Sequence, residues 1–191
     1  MRLWQKLALL CTLQLLALAA MVADKQWTLQ TGTTVVLPTL PVDPRSLFMG
    51  DYARLNYAIN RLELDGEQAL GGDKDFKPHD RVWVAIQPQP DGARALSVHH
   101  QRSAIPAGQL ALAGEVQYID TRQARNGATL HTLQVRYGIE QYFVPEGTGR
   151  QIEQPQDGEK VSVRVAIDQR GKAGILALLL DGRERYRETL F

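Results

Sequence analysis

An apolar N-terminal run, segments alternating with period two, and frequent turn dipeptides predict a mostly β protein behind one N-terminal transmembrane helix. The β part reads as two similar β units, dividing the chain into residues 1–23, 24–109 and 110–191. A chain of 191 residues, 44% of them hydrophobic, can bury a core of ordinary size. Its formal net charge of +1 argues against nucleic acid, which demands a basic stripe to neutralise phosphates.

The first segment has a basic start, Arg2 and Lys6, and an apolar run from Leu7 to Val22 broken only by Thr12 and Gln14. As an uncleaved anchor, residues 3–23 reach the roughly 17–25 residues that a bilayer span requires. Lys6 then snorkels toward the headgroups, Trp4 and Trp27 lie near the two interfaces, and the segment contacts the lipid bilayer directly. As a secretory signal, Ala17-Leu18-Ala19 or Met21-Val22-Ala23 supplies the small-residue cleavage site. Both readings send the rest of the chain out of the cytoplasm, because positive charge stays inside. Without Arg2 and Lys6 the exported part carries a net charge of −1, so it has no electrostatic attraction to an anionic membrane surface. The single cysteine, Cys11, lies inside the apolar run, so the exported part has no disulfide framework. Bulky Leu10 before Cys11 also speaks against lipidation there.

The β elements follow in order. Thr33 to Leu37 is a β-branched strand ended by Pro38 and Pro41. Asp43-Pro44 reads as a helix start, Asp as N-cap and Pro at the first helical position, closed by Gly50. From Tyr52 the alternation puts Leu55, Tyr57 and Ile59 on one face and Arg54, Asn56 and Asn60 on the other. The apolar parity flips at Leu62 and Leu64, which implies a bulge or the strand's end. Residues 65–80, polar and glycine-containing, read as a mobile loop. Arg81 to Gln87 and Ala95 to His99 form a hairpin around Pro90-Asp91-Gly92. Strands are expected at 110–119, with a bulge at Gly114, and then at 130–139 and 142–144. Residues 149–154 have the pattern of a helical turn. Further strands at 159–168, 175–180 and 185–190 bring the total to about nine to eleven.

The two halves rhyme. Gly32 to Leu37 matches Gly114 to Ile119, Leu55 to Ile59 matches Val135 to Ile139, Asp80 to Val84 matches Glu159 to Val163, and Gly92 matches Gly171. An internal duplication with pseudo-two-fold packing is the expectation. The helical turn at 43–48 and the loop at 145–154 have no counterparts, and such departures from a scaffold are where function usually lives.

The densest motif is Gly50-Asp-Tyr-Ala-Arg-Leu-Asn-Tyr57, preceded by Pro41-Val-Asp-Pro-Arg45. Gly50 permits a turn that a Cβ obstructs, Asp51 accepts hydrogen bonds from turn amides, and the Tyr57 hydroxyl requires a buried partner. These types specify a turn feeding a strand, with Arg45, Asp51 and Tyr52 as a possible binding surface. The eight residues resemble the signature of the GDYXXLXY protein family of bacteria, and Tyr137-Gly-Ile-Glu-Gln-Tyr-Phe-Val-Pro-Glu-Gly147 is similar to its second half. The resemblance covers nearly the whole chain. It implies a membrane-anchored exported protein, often encoded beside multi-spanning membrane proteins, and no established activity.

Catalytic chemistry finds little support. His99 and His100 are adjacent on a strand and point to opposite faces, no CxxC or HExxH spacing occurs, and neither a metal nor a cofactor is expected. Residues 36–40 with Gly50-Asp51 resemble a region of bacterial signal peptidases, but Val35 stands where the nucleophilic serine belongs. An exported hydrolase would have to use Asp51 with Glu140 or Glu146. A purely structural envelope component is the other alternative. The reading favoured by sequence is a non-catalytic binding or accessory subunit for an integral membrane protein, anchored in the bacterial inner membrane and facing the periplasm. Its candidate binding residues are Asp43, Arg45, Gly50, Asp51, Tyr52, Tyr57, Tyr137, Glu140, Tyr142 and Glu146.

Overall fold

A computed structural model describes residues 3–41, 52–66, 69–124, 127, 129–143 and 159–187, with Tyr52 described in its backbone only. The chain is mostly β with one N-terminal apolar helix. That helix, α1 (Leu3–Thr31), has 29 residues and spans about 43 Å at 1.5 Å per residue. By length and composition it is able to cross a membrane, a property it shares with signal sequences. It outlasts the expected segment by eight residues because Asp24 to Thr31 dock on the β domain, where Thr28 is buried.

Thirteen strands lie among the described residues. They are β1 (Thr33–Leu40), β2 (Tyr52–Arg54), β3 (Asn56–Tyr57), β4 (Arg61–Glu63), β5 (Gly71–Gly72), β6 (Arg81–Gln87) and β7 (Arg94–His99). After them come β8 (Leu110–Gln123), β9 (Thr129–Arg136), β10 (Gln141–Phe143), β11 (Val161–Ile167), β12 (Ala173–Leu180) and β13 (Arg183–Arg187). One sheet has the order β13-β12-β11-β1-β3, a second β4-β9-β8-β6-β7-β5, and β10 pairs with β2 alone. All neighbours are antiparallel except β5 and β7.

Each large sheet draws strands from both halves of the sequence. β1 pairs with β11, and β8 pairs with β6, so each half lends its first strand to the other half's hairpin. Some pairing rungs of the two sheets lie at similar spacings. Arg61 opposes Gln134 as Gln141 opposes Arg54, and the bulge between Ala85 and Ile86 recurs between Arg164 and Val165. Leu37 opposes Val163 and Leu112 opposes Val84. All four are fully buried and fill the core. A single apolar cluster from Val35 to Leu178 is built from both halves.

Several local expectations are corrected. The strand from Tyr52 is interrupted by a 3-10 turn, Ala58–Asn60, which resets the phase so that Ile59, Leu62 and Leu64 are all buried. Asn60, expected on the polar face, is buried for the same reason. The described part of 65–80 is held in place: β5 pairs with β7, Phe76 is buried beneath the His100 ring, and Asp73 accepts the His100 N–H at 2.8 Å. The register shift in β8 falls between Val116 and Tyr118 and not at Gly114. Gly114 is needed for another reason, since a Cβ there would lie 2.5 Å from Val135 Cγ1. The expected helical turns at 43–48 and 149–154 lie outside the described residues.

Candidate functional site

The two signature segments meet. Arg54, Ala53 and Tyr52 of β2 oppose Gln141, Tyr142 and Phe143 of β10, and the Leu55 N–H donates to the Glu140 carbonyl at 2.9 Å. Behind this ribbon, the Tyr57 hydroxyl donates to the Ile139 carbonyl and the Tyr137 hydroxyl to the Ile59 carbonyl, each at 2.6 Å. Burial, then the nearby Glu140 charge, pushes the pKa of both phenols well above 10, so both stay protonated donors.

Asn60 and Glu140 close the cluster from equivalent places. Asn60 Oδ1 accepts the Tyr57 N–H at 2.5 Å while Glu140 Oε1 accepts the Tyr137 N–H at 2.5 Å. Glu140 Oε2 also takes the Gly138 N–H at 2.9 Å, and Asn60 Nδ2 donates to the Val135 carbonyl at 2.7 Å and to Glu140 Oε1 at 3.2 Å. The Glu140 carboxylate is thus a staple for a turn in which Gly138 adopts a φ of 81°. Both of its oxygens accept main-chain donors, which gives the carboxylate a turn-holding role.

The second feature lies where α1 leaves the apolar run. The turn after β11 is an Asx turn: Asp168 Oδ1 accepts the N–H groups of Arg170 and Lys172, both at 2.9 Å, and Gly171 takes a φ of 83°. This leaves Asp168 Oδ2 facing the helix, where it accepts the Thr28 hydroxyl at 2.9 Å and the Arg170 guanidinium at 2.7 Å. Arg170 also reaches Asp24 at 2.6 Å, and Lys172 pairs with Asp24 as well. Burial raises the pKa of Asp168, but the Arg170 guanidinium, the main-chain donors and the Thr28 hydroxyl outweigh it and hold the carboxyl below its usual range. Leu29 sits against Gly174, where a Cβ would meet Leu29 Cδ2 at 2.6 Å.

Between these features runs a groove of about 420 Å³, with Met21, Lys25 and Thr28 of α1 on one wall and Ile139, Tyr142 and Phe143 on the other. Tyr142 is buried and Phe143 is 81% exposed. A larger hollow of about 1210 Å³ follows β1 and β11.

Of the residues singled out by sequence, the structure brings together Tyr57, Tyr137, Glu140 and Tyr142, with the backbone of Tyr52. Asp43, Arg45, Gly50, Asp51 and Glu146 lie outside the described residues. Sequence reasoning missed Asn60, Thr28, Asp168 and Arg170. Gln169-Arg-Gly-Lys172 is legible as a turn and Asp168 as the end of the strand before it, yet nothing local marks Asp168 as the seat of a helix residue 140 positions away. No group of three or more potential metal ligands occurs among the described residues.

The fold and the paired segments define a β domain bearing one apolar helix docked end-on against its sheet. The model of the GDYXXLXY protein family matches residues 14–178, most of the chain, and the chain belongs to that family. No curated protein and no solved structure matches it.

Proposed function

We propose that the protein is an inner-membrane-anchored, periplasm-facing β protein without catalytic activity that serves as a binding or accessory subunit to an integral membrane protein. The observation carrying this reading is the continuity of α1. The helix passes without a break from its apolar run into contacts with the turn between β11 and β12, through Thr28 and Asp24, and with β12, through Leu29. A simple tether needs no such contacts. A docked helix fixes the height and rotation of the domain over the bilayer, so one face is always offered to whatever lies beside it. The exposed Phe143 and the groove lie beside Met21 and Lys25, at the end of the apolar run.

The bonds that Glu140 accepts from Tyr137, Gly138 and Asn60 favour a structural role for it over the hydrolase alternative. The test of the accessory reading is affinity purification of the full-length protein from gently solubilised membranes, with mass-spectrometric identification of stoichiometric companions. A multi-spanning protein recovered in equal amount supports it. A folded, membrane-bound fraction with no companion overturns it.

A further inference from the structure

Within the apolar run Leu7 to Val22 of α1, Gln14 is a polar residue with no internal solution. Thr12, the other break in the apolar run, donates its hydroxyl to the Ala8 carbonyl at 2.9 Å. The Gln14 amide has no hydrogen-bond partner among the described residues, and its surroundings are leucines and alanines. If residues 3–23 span the bilayer, Gln14 lies within about one residue of its midplane, at a helical rise of 1.5 Å. There two donors and an acceptor face hydrocarbon, and polar groups at such depth are satisfied by neighbouring helices.

The rotation of Gln14 identifies which neighbour. At 3.6 residues per turn, Met21, Lys25 and Thr28 all lie within about 40° of Gln14 around the helix axis. These residues line the groove, and Thr28 and Leu29 are the side chains against the sheet. Gln14 therefore points to the side over which the domain projects. A two-fold dimer through Gln14 would bring two identical faces together, and each already has a β domain seated on it at Thr28. The two domains would claim one volume, so a second copy is excluded as the occupant. A helix of another protein, ending near the level of Met21, meets no such obstacle and arrives under the groove.

We propose that the Gln14 face of α1 receives a transmembrane helix of a different protein. That helix presents an amide or hydroxyl side chain to Gln14 at mid-bilayer and packs its outer end into the groove beneath Tyr142 and Phe143. The inference rests on the anchored accessory reading and specifies its contact surface.

The experiment places a photoreactive amino acid at Leu10, Ala17 or Met21, on the Gln14 face, and at Leu9, Leu16 or Ala23, on the opposite face. The full-length protein is irradiated in the membranes of the organism that makes it, and adducts are mapped by mass spectrometry. The expected result is adducts from 10, 17 and 21 to one transmembrane segment containing a polar residue, reduced at least tenfold by Gln14→Leu. Positions 9, 16 and 23 are expected to label lipid. Adducts to a second copy of this chain, equal labelling from both faces, or labelling unchanged by Gln14→Leu would overturn the proposed surface. Gentle co-purification of the same variants separates the two levels of the argument. A companion retained alongside opposite-face adducts leaves the accessory reading standing and removes this surface, whereas lipid adducts everywhere and no companion remove both.

Discussion

Tyr57 and Tyr137 trade places across the join of the two halves: each hydroxyl donates, at 2.6 Å, to the main-chain carbonyl two residues beyond the other tyrosine. Both rings are buried, so each bond replaces a water contact that the folded chain has no means to restore. Tyr57→Phe and Tyr137→Phe are each expected to cost about 1–3 kcal/mol, the range for leaving a buried acceptor unpaired. Chemical denaturation in detergent measures this, and a double-mutant cycle is expected to reveal coupling through Asn60 and Glu140. Two neutral single variants would show that the exchange does not hold the halves together.

Glu140 provides the contrast between staple and catalyst. Glu140→Ala frees the N–H groups of Tyr137 and Gly138 and is expected to destabilise by about 1–3 kcal/mol. Glu140→Gln keeps an acceptor in reach and is expected to lose less. A wild-type hydrolytic activity abolished by Glu140→Gln at unchanged stability would restore the hydrolase reading.

Asp168 makes the docking of α1 depend on pH. Its carboxyl is held below the usual range in the folded state, so it releases its proton more readily there than in the unfolded chain. The stabilisation is complete above the unfolded value of about 3.9 and is lost as pH falls through the lower folded value. The hydrogen-exchange protection factors of residues 24–31, the intrinsic rate at each pH divided by the observed rate, are expected to be equal at neutral and mildly acidic pH and to fall below about pH 4. Asp168→Asn is expected to show low protection in this segment at every pH, because Thr28 and Arg170 lose a charged acceptor.

Two glycines with positive φ separate backbone strain from crowding. Gly138 has a φ of 81° and open space where a Cβ would stand, so Gly138→Ala is expected to cost about 1–2 kcal/mol, the left-handed penalty alone. Gly92 has a φ of 118°, and its Cβ would fall 2.4 Å from Pro38 Cγ. Gly92→Ala is expected to cost distinctly more, since the ring of Pro38 cannot retreat without moving β1. Thermal unfolding of the two variants side by side tests the order.

Much of this protein was readable from local pattern. Alternation found the strands at Arg81–Gln87 and Val161–Ile167, because a side-chain period of two depends only on which face is wet. The apolar run announced α1, and the chemistry of Tyr57 announced that its hydroxyl requires a partner. The partner's identity was not readable, since Ile139 comes 82 positions later and any buried carbonyl would have served.

What the sequence by itself determined is the kind of chain: an apolar segment, a β domain, two halves with similar turns, and no CxxC or HExxH spacing. These are properties of neighbours in sequence, set by periodicity, composition and turn preference. Only the tertiary structure decided that Leu37 opposes Val163 and Leu112 opposes Val84, that Asn60 is buried, and that β1 and β8 cross into each other's sheets. It alone carried α1 past residue 23 to Thr31 and seated Thr28 on Asp168. Those outcomes rest on filling one core and satisfying buried polar groups, conditions imposed by residues far apart in the chain and invisible to any window along it.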